Sequence, residues 1–159
     1  KVFEEVLGKD SKTLSMNLVY DVAHNVAKFE THYQKKLLIH RKGATRSFPN
    51  QPVIIGGSME TGSFLLLGKE EAMEKSFGST AHGSGRTMSR AKAKKLIKGE
   101  KLIHQLKNKG IYVKAASFAG LAEEAGFAYK NIEKVVKSVE LADLSKPIAY
   151  FKPIGNIKG

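Results

Sequence analysis

Phe77-Gly-Ser-Thr-Ala-His-Gly-Ser-Gly-Arg86 sets one histidine, His82, in a run of small residues and follows it closely with an arginine. A packed core needs side-chain volume, and this run offers almost none. Gly78, Gly83 and Gly85 permit positive φ and close backbone approach. Successive backbone N–H groups in such a loop point into one concavity and hold an anion. Arg86 would add a fork of charged donors suited to phosphate. His82 would then be an imidazole beside a bound phosphate, the arrangement a phosphoryl or nucleotidyl acceptor needs. The same residues also describe a glycine-rich turn with a solvent-facing histidine, and the motif alone leaves both readings open.

The surrounding composition narrows the choice. A chain of 159 residues has the size of one ordinary domain, and we expect a single domain over 1–159. Hydrophobic residues make up 42%, enough for a core. There is no cysteine, which excludes disulfides and thiolate metal sites within the chain. No run approaches the roughly 20 apolar residues of a membrane span, so no membrane partner is expected. The start, Lys1-Val-Phe-Glu-Glu5, has neither a signal-peptide stretch nor an initiator methionine. That predicts a processed, split or partial chain and, with no export signal, a cytoplasmic location. Lys and Arg number 27 against 15 Asp and Glu, a net charge of +12. Such a surface attracts polyanions, nucleic acid above all. Much of the excess lies between Arg86 and Lys109, adjoining the His82 loop.

Along the chain, apolar spacing at Val19, Val22, Ala23, Val26, Ala27 and Tyr33 predicts a helix over 19–34. On that helix His24 and Asp21, three apart, would face one metal or one phosphate. Strands are expected over 36–40, 51–55, 63–67 and 111–115, with a basic turn over 41–46. Helices are expected over 69–76, from a Ser89 cap to about 98, over 100–109 and over 129–141. The segment 147–157 reads as extended, with Pro153 at an edge or bulge. His32 and His104 read as surface residues. Interspersed helices and strands without βαβ regularity give an α+β class with mixed sheets.

Four further stretches are small, polar or basic: Asp21-Val-Ala-His-Asn25, His40-Arg-Lys-Gly-Ala-Thr-Arg46, Gly57-Ser-Met-Glu-Thr-Gly-Ser63 and the closing Lys158-Gly159. His24 offers an imidazole to ions such as Mn, Fe or Zn, although one histidine holds no metal alone. Ser58 and Ser63 offer hydroxyls beside Gly56 and Gly57. His40, Arg41, Lys42 and Arg46 offer contacts to phosphates.

Together the stretches resemble the RtcB family of RNA-splicing ligases. The resemblance is carried by Tyr20-Asp-Val-Ala-His-Asn-Val-Ala-Lys28, His40-Arg-Lys-Gly-Ala-Thr-Arg46, Gln51-Pro-Val-Ile-Ile55 with Gly57-Ser-Met59, Phe77 to Arg90, and Pro153-Ile-Gly-Asn-Ile-Lys-Gly159. The blocks stand in the family's order and span nearly the whole chain. They correspond to the C-terminal part of a typical member, and an RtcB-like fold follows for that part.

The resemblance implies a ligase that uses GTP and Mn²⁺. It would join a 3′-phosphate or 2′,3′-cyclic-phosphate RNA end to a 5′-hydroxyl end through a guanylylated histidine, as in tRNA splicing or RNA repair. His82 matches the histidine that accepts GMP. His24 matches a manganese ligand, and Asn25 beside it a guanylate contact. Gly57, Ser58, Met59 and Ser63 match the guanylate-binding turn. Gly83, Ser84 and Gly85 match the loop that cradles the nucleotide, and Lys158 the penultimate lysine at the guanine. The implied partners are RNA (tRNA halves or broken ends), a complementary N-terminal ligase segment and archease.

Three departures stand out. The family's other metal ligands, a cysteine among them, lie in blocks this chain does not contain. A stretch that usually precedes Gln51 is absent. Glu60 stands where members commonly have glycine, and its carboxylate would repel a nucleotide unless it points away. The alternative reading is a non-catalytic nucleotide- or RNA-binding module derived from the family.

Overall fold

The segment predicted as a helix over 19–34 contains none. The computed structural model, which describes residues 1–158, places α1 (Val2–Leu7) first. A hydrogen-bonded turn follows over 11–15, and from Met16 through Ala23 the chain is without regular structure. It then forms a hairpin of β1 (Asn25–His32) and β2 (Lys35–Lys42). Their antiparallel register runs unbroken from Asn25↔Lys42 to His32↔Lys35. A full ladder of strand pairing outweighs a fortuitous helical spacing of apolar residues. The turn residues Tyr33 and Gln34 both have positive φ, 51° and 62°, the two-residue geometry that matches strand twist. Neither is Asn or Gly. Tertiary contacts hold the turn instead: the Tyr33 hydroxyl donates to the Glu74 carbonyl, and its ring meets Phe77 edge-on at 5.8 Å.

The hairpin also overturns the surface reading of His32 and the phosphate-contact reading of Arg41. Glu30 and His32, two apart on a strand, face the same side. His32 is only 4% exposed and lies 3.2 Å from the Glu30 carboxylate. Arg41 on β2 is 3% exposed and donates to both Glu30 oxygens at 2.8 Å, then to the Phe77 carbonyl at 2.9 Å. Arg41 therefore ties the hairpin to the base of the His82 loop and is closed to phosphate. His104 is exposed, as expected.

Most of the remaining elements fall where the sequence places them; the strands over 44–46 and 79–81 and the helix over 118–123 are not anticipated by it. The remaining elements are β3 (Ala44–Arg46), β4 (Pro52–Gly56), β5 (Ser63–Gly68), α2 (Glu71–Ser76), β6 (Ser79–Ala81), α3 (Arg90–Leu96), α4 (Gly99–Asn108), β7 (Tyr112–Ala115), α5 (Phe118–Glu123), a 3-10 turn (Gly126–Ala128), α6 (Ile132–Leu141), β8 (Ser145–Phe151) and β9 (Gly155–Lys158). The segment expected as a basic turn over 41–46 is a bend at Gly43, φ 70°, between β2 and β3, which belong to different sheets. The Ser89 and Asn131 side chains accept from the N–H groups of Lys92 and Lys134, capping α3 and α6. The class is α+β.

An antiparallel sheet in the order β4-β5-β8 carries α6 on one face. Val53, Ile55 and Leu66 from the sheet meet Ile132, Val136 and Val139 from the helix in one core. A second core gathers Leu102 and Leu106 of α4, Ile111, Leu121 and Ala125 around Met59. Between them, β3 pairs with β6, and β7 runs parallel to β9. Among the described residues, no helix is long and apolar enough to cross a membrane.

Candidate functional site

β4 and β6 deliver the His82 loop to the end of the three-stranded sheet. The Ser84 N–H donates to the Gly56 carbonyl at 2.8 Å, and the Gly56 N–H donates to the His82 carbonyl at 3.3 Å. Gly83 therefore bridges Gly56 in parallel fashion, and a Cβ there would lie 3.1 Å from the Gly56 oxygen. The loop is an extension of the sheet, which fixes where the imidazole stands.

The His82 ring stacks on that of His24, with centroids 4.7 Å apart and planes inclined by 4°. His24 reaches this position from a stretch without regular structure rather than from a helix, so the expected shared face with Asp21 is not formed. The Gly43 N–H donates to the His24 carbonyl at 2.9 Å, and a Cβ on Gly43 would come within 3.6 Å of His82 Nε2. Partial burial, and then the neighbouring His24, holds the His82 imidazole below its ordinary value. Its ring thus keeps a nitrogen lone pair at neutral pH, as a nucleophile must.

Beyond Gly56 the chain makes the tight turn that carries Ser58. The Gly57 N–H donates to the Gly62 carbonyl at 2.8 Å, and a Cβ on Gly57 would be 2.6 Å from that oxygen. The Ser58 N–H donates to Thr61 Oγ1 at 2.9 Å, and Ser58 Oγ accepts from the Glu60 N–H at 3.2 Å. Met59 is 3% exposed and its side chain belongs to the second core; its carbonyl accepts from Asn156 Nδ2 at 3.2 Å. That bond and the β7–β9 ladder bring Lys158 to the turn. The Glu60 carboxylate is ion-paired with Lys109 and lies against Gly126. It is thereby neutralised locally, which answers the repulsion its sequence position suggested.

Gly57, Ser58, Met59, Ser63 and Lys158 line one cavity of about 140 Å³. His82, Gly83, Ser84 and Gly85 line a second of about 400 Å³. The two share Gly57 and Tyr129 as common walls. Asn25, exposed at the start of β1, lines neither; it follows His24, whose ring stacks on that of His82. Gly159 lies outside the described residues.

Two pocket residues, Tyr129 and Glu124, carried no recognisable signal in the sequence, and Asn156 stood within the closing block without an assigned role. They reach the site through the turn before α6, the end of α5 and β9. Arg86, expected to offer its fork to phosphate, is otherwise engaged. Its guanidinium donates to the carbonyls of Met88 at 3.1 Å and Glu123 at 2.6 Å and to the Tyr129 hydroxyl at 3.1 Å. It also lies 3.5 Å from a Glu124 oxygen and 4.9 Å from the centre of the Tyr129 ring. Arg86 fastens Tyr129 as a wall between the two cavities.

The family model described as tRNA-splicing ligase RtcB matches residues 1–159. The chain belongs to the RtcB family. It is similar to the tRNA-splicing ligase RtcB of Archaeoglobus fulgidus, 49% identical over 176 residues that take in 100% of this chain and 36% of that protein. The Nanoarchaeum equitans RtcB is 47% identical over 176 residues, covering 100% and 37%. The Pyrococcus abyssi RtcB is 47% identical over 174 residues, covering 99% and 19%. The chain thus spans between about a fifth and rather more than a third of the RtcB relatives it matches. The matched spans also exceed the 159 residues of this chain, so these relatives carry additional residues within them.

Two tests bear on what this RtcB segment can hold. Ser84 is 3% exposed, and its hydroxyl is buried without a hydrogen-bond partner beside the His82 cavity. An orphaned hydroxyl there suits a polar ligand such as a nucleotide phosphate. A metal ion fits less well. Among the described residues, no three of His, Asp, Glu and Cys converge. His24 would offer one nitrogen at most, and the described residues do not form a complete ligand set.

Proposed function

We propose that this chain forms the nucleotidyl-transfer part of an RNA ligase, with His82 as the residue that takes up GMP from GTP. In that step a lone pair on the His82 ring attacks the α-phosphorus. A P–N bond forms, the bond to the β-phosphate oxygen breaks, and pyrophosphate leaves with the electron pair. Passing GMP on to an RNA 3′-phosphate would regenerate the imidazole. Attack by a 5′-hydroxyl on the activated end would then expel GMP and seal the strand. A 2′,3′-cyclic phosphate would first have to be opened to the 3′-phosphate.

The observation that carries this reading is the common wall between the His82 cavity and the cavity that ends on Lys158. A nucleotide placed across both would set its phosphates at the imidazole and its base toward Ser58, Ser63 and Lys158. Backbone N–H groups of Gly83, Ser84 and Gly85 would surround the phosphate, and fixed donors of this kind favour developing negative charge. Met59 contributes by packing beneath the turn, and Asn25 from beside His24. Mn²⁺ would draw one ligand from His24 and the rest from donors outside these residues, which makes a complementary ligase segment part of the reading. RNA with 3′-phosphate and 5′-hydroxyl ends, including tRNA halves, is the substrate class.

The partial metal site favours a second reading, a module that binds nucleotide or RNA without turnover. Incubation with α-labelled GTP, Mn²⁺ and the remaining segment of the Archaeoglobus fulgidus relative separates the two. The ligase reading expects acid-labile label on the wild-type chain and none on His82→Ala. Label retained by His82→Ala removes His82 from the role, and nucleotide binding without any label supports the module.

A further inference from the structure

A third cavity adjoins the His82 loop and takes no part in the reading above. The loop continues past the shared wall as a short antiparallel bridge between Arg86 and Tyr129. The Lys130 N–H donates to the Gly85 carbonyl at 3.0 Å, and the Thr87 N–H to the Ala128 carbonyl at 2.8 Å. Arg86 and Tyr129 face the His82 cavity, while Thr87 and Lys130 open onto a groove of about 570 Å³ along α6. Lys134 and Ser138 line it, and Val135 and Val139 form an apolar floor.

The lining is chemically mixed in a particular way. Lys130 and Lys134 are both exposed, and among the described residues neither takes part in an ion pair. Lys69, Lys75, Lys94, Lys109 and Lys137 each have a carboxylate within 4.0 Å, whereas among the described residues Lys92 and Lys95 on α3 are unpaired like the groove lysines, so what sets Lys130 and Lys134 apart is the apolar floor beside them. Two uncompensated ammonium groups above an aliphatic floor match a ligand with an apolar face and anionic links. The volume lies within the range of small-ligand sites, roughly 300–1,000 Å³.

We propose that this groove is a subsite for single-stranded RNA, in which a nucleobase rests on Val135 and Val139 while Lys130 and Lys134 contact the flanking phosphates. The inference rests on RNA being the substrate class of the His82 site and adds the path by which a strand leaves that site. A fixed groove beside the reacting imidazole orients a strand in a way that diffuse surface charge does not. The remaining lysines supply long-range attraction.

The test uses a fluorescein-labelled ten-nucleotide RNA of mixed sequence, with anisotropy read at several salt concentrations and no GTP present. Lys130→Gln with Lys134→Gln removes two phosphate contacts. It should weaken binding about tenfold at 0.15 M salt and lower the salt slope by about 1.4. Lys92→Gln with Lys95→Gln on α3 removes the same charge away from the groove and should cost about twofold or less. Equal losses in the two doubles, no loss in either, or wild-type chain that fails to bind would overturn the proposal. So would poly-glutamate displacing the RNA at equal charge concentration. A second measurement needs no variant: the Val135 and Val139 methyl resonances of the wild-type chain should shift on adding the RNA, and unmoved methyls count against the groove. Because GTP is absent throughout, failure of His82 to take up label would overturn the ligase reading without touching this result.

Discussion

The His24 and His82 imidazoles lie face to face, 4.7 Å between centroids and 4° from parallel. A charge on the His24 ring in that arrangement disfavours a second charge on His82. The loop that carries His82 is pinned to Gly56, and the chain that carries His24 is pinned to Gly43. Neither can swing away cheaply.

The first prediction concerns acid. His82 is held below its ordinary imidazole value by burial and then by His24. Its folded-state value lies under its unfolded one, so its contribution to stability is whole above the unfolded value. It is lost as pH falls from there through the folded value. NMR titration of the metal-free chain should show His82 protonating at lower pH than an ordinary free imidazole. His24→Ala should move the His82 midpoint up, and an unmoved midpoint would contradict the coupling.

The second concerns the Glu30–Arg41 pair. Burial raises the Glu30 carboxyl, but hydrogen bonds from Arg41 and His32 outweigh it and leave the group below the usual carboxylate range. The pair therefore stabilises the fold above the unfolded carboxylate value and fails as pH drops through the depressed one. Arg41→Met strands a buried carboxylate and should cost about 3–5 kcal/mol in urea unfolding. A cost within about 0.5 kcal/mol would mean that Glu30 finds water instead.

The third addresses the Gly57 turn. A methyl group there would meet the Gly62 oxygen at 2.6 Å, far inside contact distance. Gly57→Ala should lower the melting temperature and weaken GTP binding together, measured by calorimetry on one sample. Loss of binding with unchanged melting would instead indicate a direct block of the cavity.

The fourth tests the second core. Leu106 is completely buried among Met59, Leu102, Ile111 and Leu121. Leu106→Ala should destabilise the chain by about 2–5 kcal/mol. Because Met59 is in the same cluster, the turn at Ser58 should loosen as well, seen as faster amide exchange at Gly57 and Thr61.

Much of the site was legible because its residues are local in sequence. The His82 loop and the Ser58 turn announce themselves by glycines that leave no room for side chains. The strands 51–55 and 63–67 and the helix at the Asn131 cap follow ordinary periodicity. Residues 19–34 misled because Val22, Ala23 and Val26 fall at helical intervals. What fixes that segment is pairing with β2 and a turn at Tyr33-Gln34 held by α2 and Phe77, partners that no local pattern shows. His32 and Arg41 were misplaced for the same reason: their burial depends on Glu30, a neighbour only once the hairpin exists. Arg86 has the charge of a phosphate ligand, yet Glu124 and Tyr129, far along the chain, absorb it.

The parallel pairing of β7 with β9 has a temporal consequence. A ribosome releases the His82 loop long before it releases Asn156 and Lys158, so the half-built polypeptide carries the His24–His82 stack while the cavity beside it lacks one wall. That wall would arrive only with β9, and a copy terminated before it would lack the cavity.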